Sequence, residues 1–198
     1  MPKQQLSPRK RPLQSRALVT CEAILEAAAQ LLLSEGARAT TNRIADRAGV
    51  SIGSLYQYFP SKEAIWLELI RRMRHDMLQD LEEAAALNRH ATLPDITRAL
   101  LEASVRHHLA APDRARMLEL IEESLPQTEE IAAIKGAVEP LVAGVLTRHN
   151  VPRPDIAARD LCAVTAALVD SAVMAGETDM EDVLGRLDRI VAGYLETA

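Results

Sequence analysis

The stretch TNRIADRAGVSIGSLYQYF, residues 41–59, contains two short helical segments on either side of Gly49. Thr41 is suited to cap the first helix, over residues 42–48, because its hydroxyl group can accept a hydrogen bond from a free backbone N–H. Gly49 ends that helix, since glycine enters positive φ at little steric cost. The second segment begins only a few residues later, and this tight connection predicts a pair of packed short helices.

The second segment, residues 52–59, completes the pattern of a helix-turn-helix. Ser51 is suited to cap it, and Pro60 ends it. Ala45 is small enough for the two helices to approach closely, and Leu55, ten residues later, falls where the second helix buries an apolar side chain against the first. The spacing predicts a helix-turn-helix, although a tight helical corner with no role in DNA binding shares it.

Hydrogen-bonding side chains dominate the second helix, with Tyr56, Gln57 and Tyr58 in a row. Phenol and amide groups suit contacts with phosphates and base edges. A helix that serves only as core would not place three such residues together, so the composition favours DNA binding. Tyr56 is either a phosphate ligand or a side chain at the edge of the core.

The remainder of the chain repeats apolar residues with a helical period, and alanine supplies 32 of the 198 residues. Both features predict an all-α protein. Pro140 is expected to kink the helix in which it lies. The nine predicted helices span about 15–34, 42–48, 52–59, 62–87, 95–110, 112–126, 128–149, 155–175 and 179–196.

Charge is distributed unevenly along the chain, whose net charge is −5. Residues 1–62 hold nine Lys and Arg against four Asp and Glu, whereas residues 63–198 hold fourteen against twenty-four. A basic segment ahead of an acidic body is typical of a nucleic-acid-binding head. The first sixteen residues hold five basic residues and no acid, either as a solvated terminus or as an arm that contacts DNA.

Several classes of protein receive no support from the sequence. We find no apolar run of about 18 residues and no secretory signal. Cys21 and Cys162 lack metal spacing and are expected to be small buried residues rather than redox sensors, which suits the cytoplasm. The histidines lack metal spacing, and no nucleophile–base pattern or glycine-rich phosphate loop occurs. The sequence therefore predicts neither an enzyme nor a cofactor or metal.

These residues together resemble a known family. The matching positions lie at fixed spacing over about residues 15–70, roughly a quarter of the chain. They are similar to the N-terminal domain of the TetR family of bacterial transcriptional repressors. The matching residues are Ile24-Leu-Glu-Ala-Ala28, Gly36, Thr40-Thr-Asn-Arg-Ile-Ala45, Ala48-Gly-Val-Ser51, Gly53-Ser-Leu-Tyr56, Tyr58-Phe59 and Ser61-Lys-Glu63.

The resemblance implies a flexible basic arm over 1–14, a three-helix DNA-binding domain over 15–61, and a helical effector-binding and dimerisation domain over 62–198. It also implies DNA contacts from helices 2 and 3, from the lysine that begins helix 4, and from the arm. Ile52 departs from the polar residue of many members, so it packs on a thymine methyl group or lies beside the backbone. The implied DNA-binding residues are Thr41, Asn42, Ser51, Ile52, Gly53, Ser54, Tyr56, Gln57, Tyr58, Lys62, Arg9, Lys10 and Arg11.

The last two helices have broad apolar faces, which either pack within the core of one chain or form a dimer interface. The resemblance implies a four-helix dimer interface, and two recognition helices about 34–36 Å apart would read a palindromic operator. The candidate interface residues are Leu161, Val164, Leu168, Ala172, Leu187, Ile190 and Tyr194.

The resemblance also implies an effector pocket in the body. Side chains that break the aliphatic pattern are candidates for it, although each can equally be core or surface. Few aromatic residues are available for a cage, so a small or aliphatic organic effector is expected. The candidate pocket residues are Trp66, Met73, Met77, His107, His108, Met117 and Met174.

Three functions remain open, of which two are DNA-binding regulators and the third belongs to another class. The resemblance favours a homodimeric repressor that a small-molecule effector releases from its operator. A DNA-binding regulator that a protein partner switches is an alternative, which a filled body core would favour. A helical enzyme or interaction module is the third, and failure to bind duplex DNA at low salt would favour it.

Overall fold

The computed structural model describes residues 15–110, 112–125 and 129–196, and the regular structure in these ranges is helical throughout. The all-α prediction is therefore confirmed. One short 3-10 turn, Gly36–Arg38, follows the first helix. The α-helices are α1 (Ser15–Glu35), α2 (Thr41–Ala48), α3 (Ile52–Tyr58), α4 (Lys62–Leu87), α5 (Leu93–Ala110), α6 (Pro112–Ser124), α7 (Glu129–Gly136), α8 (Glu139–Arg148), α9 (Pro154–Ala175) and α10 (Met180–Glu196).

The chain forms two compact units. The first unit comprises Met1–Arg72 and Met117–Pro126, and the second comprises Met73–Arg116 and Gln127–Ala198. The helices α4 and α6 each contribute residues to both. The sequence predicts a boundary before residue 62, whereas the first unit includes the first three turns of α4, in which Ile65 is fully buried.

The core of the first unit is formed by α1, α2, α3 and the start of α4. Side chains of Ile24, Ile44, Leu55 and Phe59 are 2% exposed or less. Full burial of one such side chain contributes about 1.5–3 kcal/mol, so these four residues hold the short helices in place.

The first helix is also long and apolar enough to meet the length and composition criteria for a membrane span, over Ala17–Glu35. Its apolar residues recur with a helical period rather than in an unbroken run. Leu25, Leu31 and Leu32 are almost completely buried on the face that α1 turns toward the core. Burial of these leucines is typical of a helix that packs against the core of a folded unit.

The turn between α2 and α3 follows the predicted chemistry. Gly49 has a φ of 68° and ends α2 in the left-handed conformation. The N–H of Val50 donates to the carbonyl of Ala45 at 3.0 Å, which satisfies a carbonyl at the helix end. Ser51 caps α3, because its Oγ accepts from the N–H of Ser54 at 3.0 Å. This turn fixes α3 against α2.

The cap of α2 differs from the prediction. Thr40, rather than Thr41, is the N-cap residue, and its Oγ1 accepts from the N–H of Arg43 at 3.4 Å. Thr41 is instead the first residue of the helix. Two adjacent threonines offer the same capping group, and sequence alone does not distinguish them. The side chain of Thr41 is thereby available for a different contact.

The second unit contains α5, α7, α8, α9 and α10. Val183, Leu184 and Leu187 on α10 are fully buried, and α10 packs on both α5 and α9. The ion pairs of Arg98 on α5 with Glu181 and Asp188 join α5 to α10 at the surface. The unit therefore has its own core.

The segment 128–149, predicted as one kinked helix, forms the two helices α7 and α8. Pro140 occupies the second position of α8. Proline has no N–H to donate to the preceding turn, and its ring clashes with the carbonyl four residues earlier. It is readily accommodated in the first turn of a helix, so the chain restarts a helix there rather than bending one.

Candidate nucleic-acid interface

The outer side of α3 and the start of α2 form one polar surface in the first unit. Leu55 and Phe59 turn inward, and the residues between and around them turn outward because a helix completes a turn every 3.6 residues. The residues that are exposed are Asn42, Ser51, Ile52, Gly53, Tyr56 and Gln57, and those that are half-buried are Thr41, Ser54, Tyr58 and Lys62.

Two of these hydroxyl groups meet across the two helices. Thr41 Oγ1 on α2 lies 3.0 Å from Tyr56 Oη on α3, and either atom can be the donor. Tyr56 is 42% exposed, so it lies on the surface rather than within the core. A phosphate oxygen can accept from whichever hydroxyl does not donate to its neighbour. The pair therefore leaves one hydroxyl hydrogen to donate to an external acceptor.

The two serines at the start of α3, the cap residue Ser51 and Ser54 of the first turn, have different roles. Ser51 Oγ accepts the N–H of Ser54 and lies 2.8 Å from Ser54 Oγ. Ser51 is thus engaged in capping. The side chain of Ser54 is held in one orientation by Ser51, and together with the exposed amide of Gln57 it offers hydrogen-bonding groups on the outer face of α3.

Two basic residues lie on α2 and contact α1, and sequence reasoning did not single them out. Arg43 is 63% exposed and pairs with Glu35 at 2.6 Å. Arg47 donates through Nε to Gln30 at 2.7 Å. The signal for both was their spacing of four residues, which places them on one face of α2, away from the buried Ile44 and Ala45.

Lys62 begins α4 directly after Ser61, whose Oγ accepts from the N–H of Ala64 at 3.3 Å. A cation at a helix N-terminus is unfavourably placed against the helix dipole, so a bound anion would stabilise it. The three arm residues Arg9, Lys10 and Arg11 lie outside the described residues.

The second unit contains a cavity of about 150 Å³. Cys162 is half-buried in its wall, and burial raises the pKa of this thiol to about 11, so it is protonated and unreactive near neutral pH. The polar and titratable lining residues are Arg74, Thr97, Ser104, Cys162, Thr165 and Asp170, and the aliphatic ones are Met77, Leu81, Leu100, Leu101, Val138, Val142, Leu161, Ala166, Val169 and Val191.

The cavity includes one of the candidate pocket residues, Met77. Trp66 is instead buried in the first unit, where α4 begins. Met117 also belongs to the first unit, and its Cε would lie 2.9 Å from a Cβ placed on Gly36. Met73 does not line the cavity and Met174 is 52% exposed. The side chains of His107 and His108 lie outside the described residues.

Breaks in the aliphatic pattern therefore did not locate the cavity. Its wall is made mainly of ordinary aliphatic residues from five helices, which are identical in type to residues of a filled core. In the described part of the chain, no three His, Cys, Asp or Glu side chains lie together in a way that could hold a metal ion.

The candidate dimer residues divide into three groups. Leu161, Ala172 and Leu187 are buried within the chain, which leaves them no surface to offer a partner. Leu168 and Tyr194 pack at the edge of the same core, and Tyr194 donates to Asp160 at 2.9 Å. Val164 and Ile190 are 37% and 40% exposed. Helical period alone did not separate the inner from the outer face, because both faces of α9 are apolar.

The outer face of α9 continues beyond Val164. Ile156, Ala167, Ser171 and Met174 are exposed and recur at roughly helical spacing along it. Exposed apolar residues that form a stripe, unlike isolated ones, mark an interaction surface. This face is the part of α9 that is available to a second chain.

Two family models match the chain. Residues 24–69 match the model for bacterial regulatory proteins of the tetR family, and residues 92–195 match the model for a Tetracyclin repressor-like C-terminal domain. The first match spans the second half of α1, α2, α3 and the start of α4, and the second spans α5 to α9 and almost all of α10.

Similar individual proteins include the HTH-type transcriptional repressor KstR2 of Rhodococcus jostii, which is 40% identical over 90 residues. That alignment covers 44% of this chain and 44% of KstR2, so the match spans less than half the length of either protein.

Similar solved structures include the fatty acid degradation regulator FadR of Bacillus halodurans, with a TM-score of 0.68 and 19% identity over 87% of this chain and 97% of that one. NalD of Pseudomonas aeruginosa, the secondary repressor of the MexAB-OprM multidrug efflux pump, has a TM-score of 0.65 and 25% identity over 86% and 96%. FadR shares the fold alone.

Proposed function

The chain belongs to the tetR family of bacterial regulatory proteins, and on that basis we propose that it is a homodimeric, sequence-specific repressor of transcription that acts on DNA in the cytoplasm. The observation that carries the proposal is the polar surface of α2 and α3, with its hydroxyl pair of Thr41 and Tyr56 at 3.0 Å. A family of regulatory proteins gives no support to an enzymatic function.

DNA contacts of two kinds are proposed for the first unit. Thr41, Tyr56, Tyr58 and Lys62 contact phosphates and set the register, whereas residues on the outer face of α3 read bases. The reading residues are Asn42 of α2 and Ile52, Gly53, Ser54 and Gln57 of α3. The arm residues Arg9, Lys10 and Arg11 are proposed to contact the minor groove or phosphates.

Dimerisation is proposed through the outer face of α9 and the adjoining part of α10. The exposed residues Val164, Met174 and Ile190 supply apolar surface, and the small residues Ala167 and Ser171 allow close approach of two helices. One recognition helix of seven residues offers few base contacts, and a two-fold dimer doubles them. The operator is therefore proposed to be a palindrome.

A small organic effector is proposed to occupy the cavity of the second unit. About 150 Å³ suits a compact ligand, and aliphatic side chains make up most of the wall. The lining residues include no aromatic residue, so a cage for a flat cation is absent from them. An aliphatic effector fits this lining, and an open cavity favours an effector over switching by a protein partner.

Coupling between effector and DNA is proposed to run along α4. This helix carries Lys62 at its start and contributes Arg74, Met77 and Leu81 to the wall of the cavity. An effector that binds better to one position of α4 shifts the protein toward that position. In the proposed repressor, the position of α4 that the effector favours separates the two DNA-binding heads of the dimer by a distance that does not fit the operator.

Selection of bound sequences from a random duplex pool in about 100 mM salt tests the function. We expect a palindromic sequence. The centres of its two half-sites should lie about one helical turn of DNA, or a whole number of turns, apart. Recovery of no common sequence would overturn the proposal of a specific repressor.

The dimer surface has its own test. Val164→Glu and Ile190→Glu are expected to convert a dimer to a monomer in size-exclusion chromatography with light scattering. The matched control is Leu87→Glu, since Leu87 is also apolar, is 78% exposed and lies on α4. An unchanged mass in both variants, or an equal effect of the control, would contradict this surface.

A further inference from the structure

Ile52 is an exposed apolar side chain within a surface of hydrogen-bonding residues. It is 38% exposed, whereas Leu55 on the same helix is fully buried. Residues close to it in sequence that are exposed or half-buried, Ser51, Ser54 and Tyr56, all have hydroxyl groups. An isolated exposed isoleucine needs no explanation on an ordinary surface. Within a surface proposed to contact DNA, the Ile52 side chain either packs against some group of the duplex or makes no contact with the DNA.

The chemistry of DNA leaves few groups that an isoleucine can contact favourably. Its side chain has no donor or acceptor, so it cannot read the hydrogen-bonding edge of any base. Packing it on a phosphate would remove water from a charged group without replacing the lost hydrogen bonds. The major groove carries one apolar group, the C5-methyl group of thymine.

Gly53 supplies a second and independent observation at the next residue. It lies inside α3 with an ordinary helical φ, so its backbone conformation does not require glycine. A Cβ atom placed on it would meet only Ser51 Oγ, at 3.8 Å, which is an ordinary contact. A glycine inside a helix destabilises it relative to alanine. Packing within the chain therefore does not account for Gly53.

Close approach of α3 to a partner would account for it. Glycine is used where a backbone must come near a ligand. Residues in the first turn of a recognition helix are those that reach base edges in the major groove. Ile52 and Gly53 occupy that turn, next to a tyrosine whose hydroxyl lies 3.0 Å from Thr41 Oγ1.

We propose that Ile52 and Gly53 together form a thymine-reading step. Gly53 lets the backbone of α3 come close to the groove floor, and Ile52 then packs on the C5-methyl group of one thymine in each half-site. This inference rests on the proposed DNA binding, and it adds a specific base and a specific atom to it. Ile52 is thereby a specificity-determining residue.

The test replaces each thymine of the selected operator in turn with deoxyuridine, which removes the methyl group and leaves the hydrogen-bonding edge unchanged. At one position per half-site we expect the dissociation constant to rise about fourfold, and about 15-fold when both half-sites are changed. All other positions should show smaller changes.

Variants assign that methyl group to Ile52. For Ile52→Ala, the deoxyuridine penalty at the same position should vanish, whereas Leu87→Ala, which also loses an exposed apolar side chain, should keep it. A penalty that persists in Ile52→Ala would overturn the assignment. Because the scan of the unmodified protein needs no variant, a misfolded Ile52→Ala does not prevent the test.

Gly53→Ala tests the close approach. We expect an equal or higher melting temperature, because alanine favours the helix, together with weaker operator binding. The matched control is Gly144→Ala in α8, where a Cβ would meet nothing within 4 Å, and it should leave operator binding unchanged. Undiminished binding by Gly53→Ala would contradict the close approach.

The outcomes separate this inference from the proposed function. If no operator is selected, the DNA-binding function fails first. If an operator is selected but contains no thymine that is sensitive to loss of its methyl group, DNA binding stands and the thymine-reading step is wrong.

Discussion

Replacement of Lys62 by alanine tests the phosphate contact at the start of α4. Capping of this helix depends on Ser61, which accepts from the N–H of Ala64 at 3.3 Å, so removal of the lysine side chain leaves the cap in place. The start of α4 should therefore be retained, and each chain loses one positive charge. Operator and non-operator DNA should both be bound more weakly, because phosphates carry no sequence information.

The magnitude follows from counterion release. Each phosphate contact contributes about 0.9 to the slope of log K against log salt concentration, so the two Lys62 side chains of a dimer contribute about 1.8. Between about 50 and 200 mM salt, a slope of about 1.8 corresponds to about a 12-fold loss of affinity. The unmodified protein should show this additional loss, and Lys62→Ala should not.

The assay is fluorescence anisotropy with a labelled operator at four or more salt concentrations. Arg89→Ala is the matched control, since Arg89 is an exposed basic residue of the second unit and its removal changes the net charge equally. Lys62→Arg should restore most of the slope. An unchanged slope in Lys62→Ala, or an equal decrease in Arg89→Ala, would refute the assigned phosphate contact.

Three further perturbations have defined outcomes. Tyr56→Phe removes the hydroxyl group that lies 3.0 Å from Thr41 Oγ1, so operator affinity should fall a few-fold. The salt slope should not change, because no charge is lost. An unaffected affinity in fluorescence anisotropy would show that Tyr56 does not contact a phosphate. Gly49→Ala places a Cβ at a φ of 68° with nothing within 4 Å, so strain alone should cost about 1–2 kcal/mol in denaturant unfolding, whereas Gly144→Ala should not destabilise the protein. Hydrogen bonds from Arg72 lower the pKa of Glu22, so its stabilising effect is complete above the ordinary carboxyl range and is lost as pH falls through the lowered pKa. Glu22→Gln should therefore flatten the fall of melting temperature below about pH 4.5, and an identical profile would contradict that assignment.

Much of the first unit was predictable because it depends on local chemistry. A glycine that must adopt positive φ, a serine that caps a helix and a leucine at fixed spacing each act within a few residues of their own position. The structure bears out Gly49, Ser51 and Leu55 in these roles. The exception, Thr40 in place of Thr41, arose where two neighbouring residues could supply the same hydrogen bond.

The second unit was less predictable because its features depend on packing over long distances. A wall of aliphatic residues around a cavity has the same sequence pattern as a filled core, so Leu100 and Val169 gave no sign of lining one. Leu187 and Ile190 repeat with the same helical period, yet one is buried and the other exposed. Only the tertiary arrangement distinguishes such residues.

In the proposed function, two copies of the chain read two half-sites through α3. The test measures the affinity for three duplexes in about 100 mM salt: the selected palindrome, the same duplex with one half-site scrambled, and a random duplex. Light scattering then gives the number of chains bound per duplex. We predict two chains on the palindrome and affinity at least about tenfold weaker for the half-scrambled duplex. Equal affinity for all three duplexes, or one chain on the palindrome, would contradict recognition of two half-sites by a dimer.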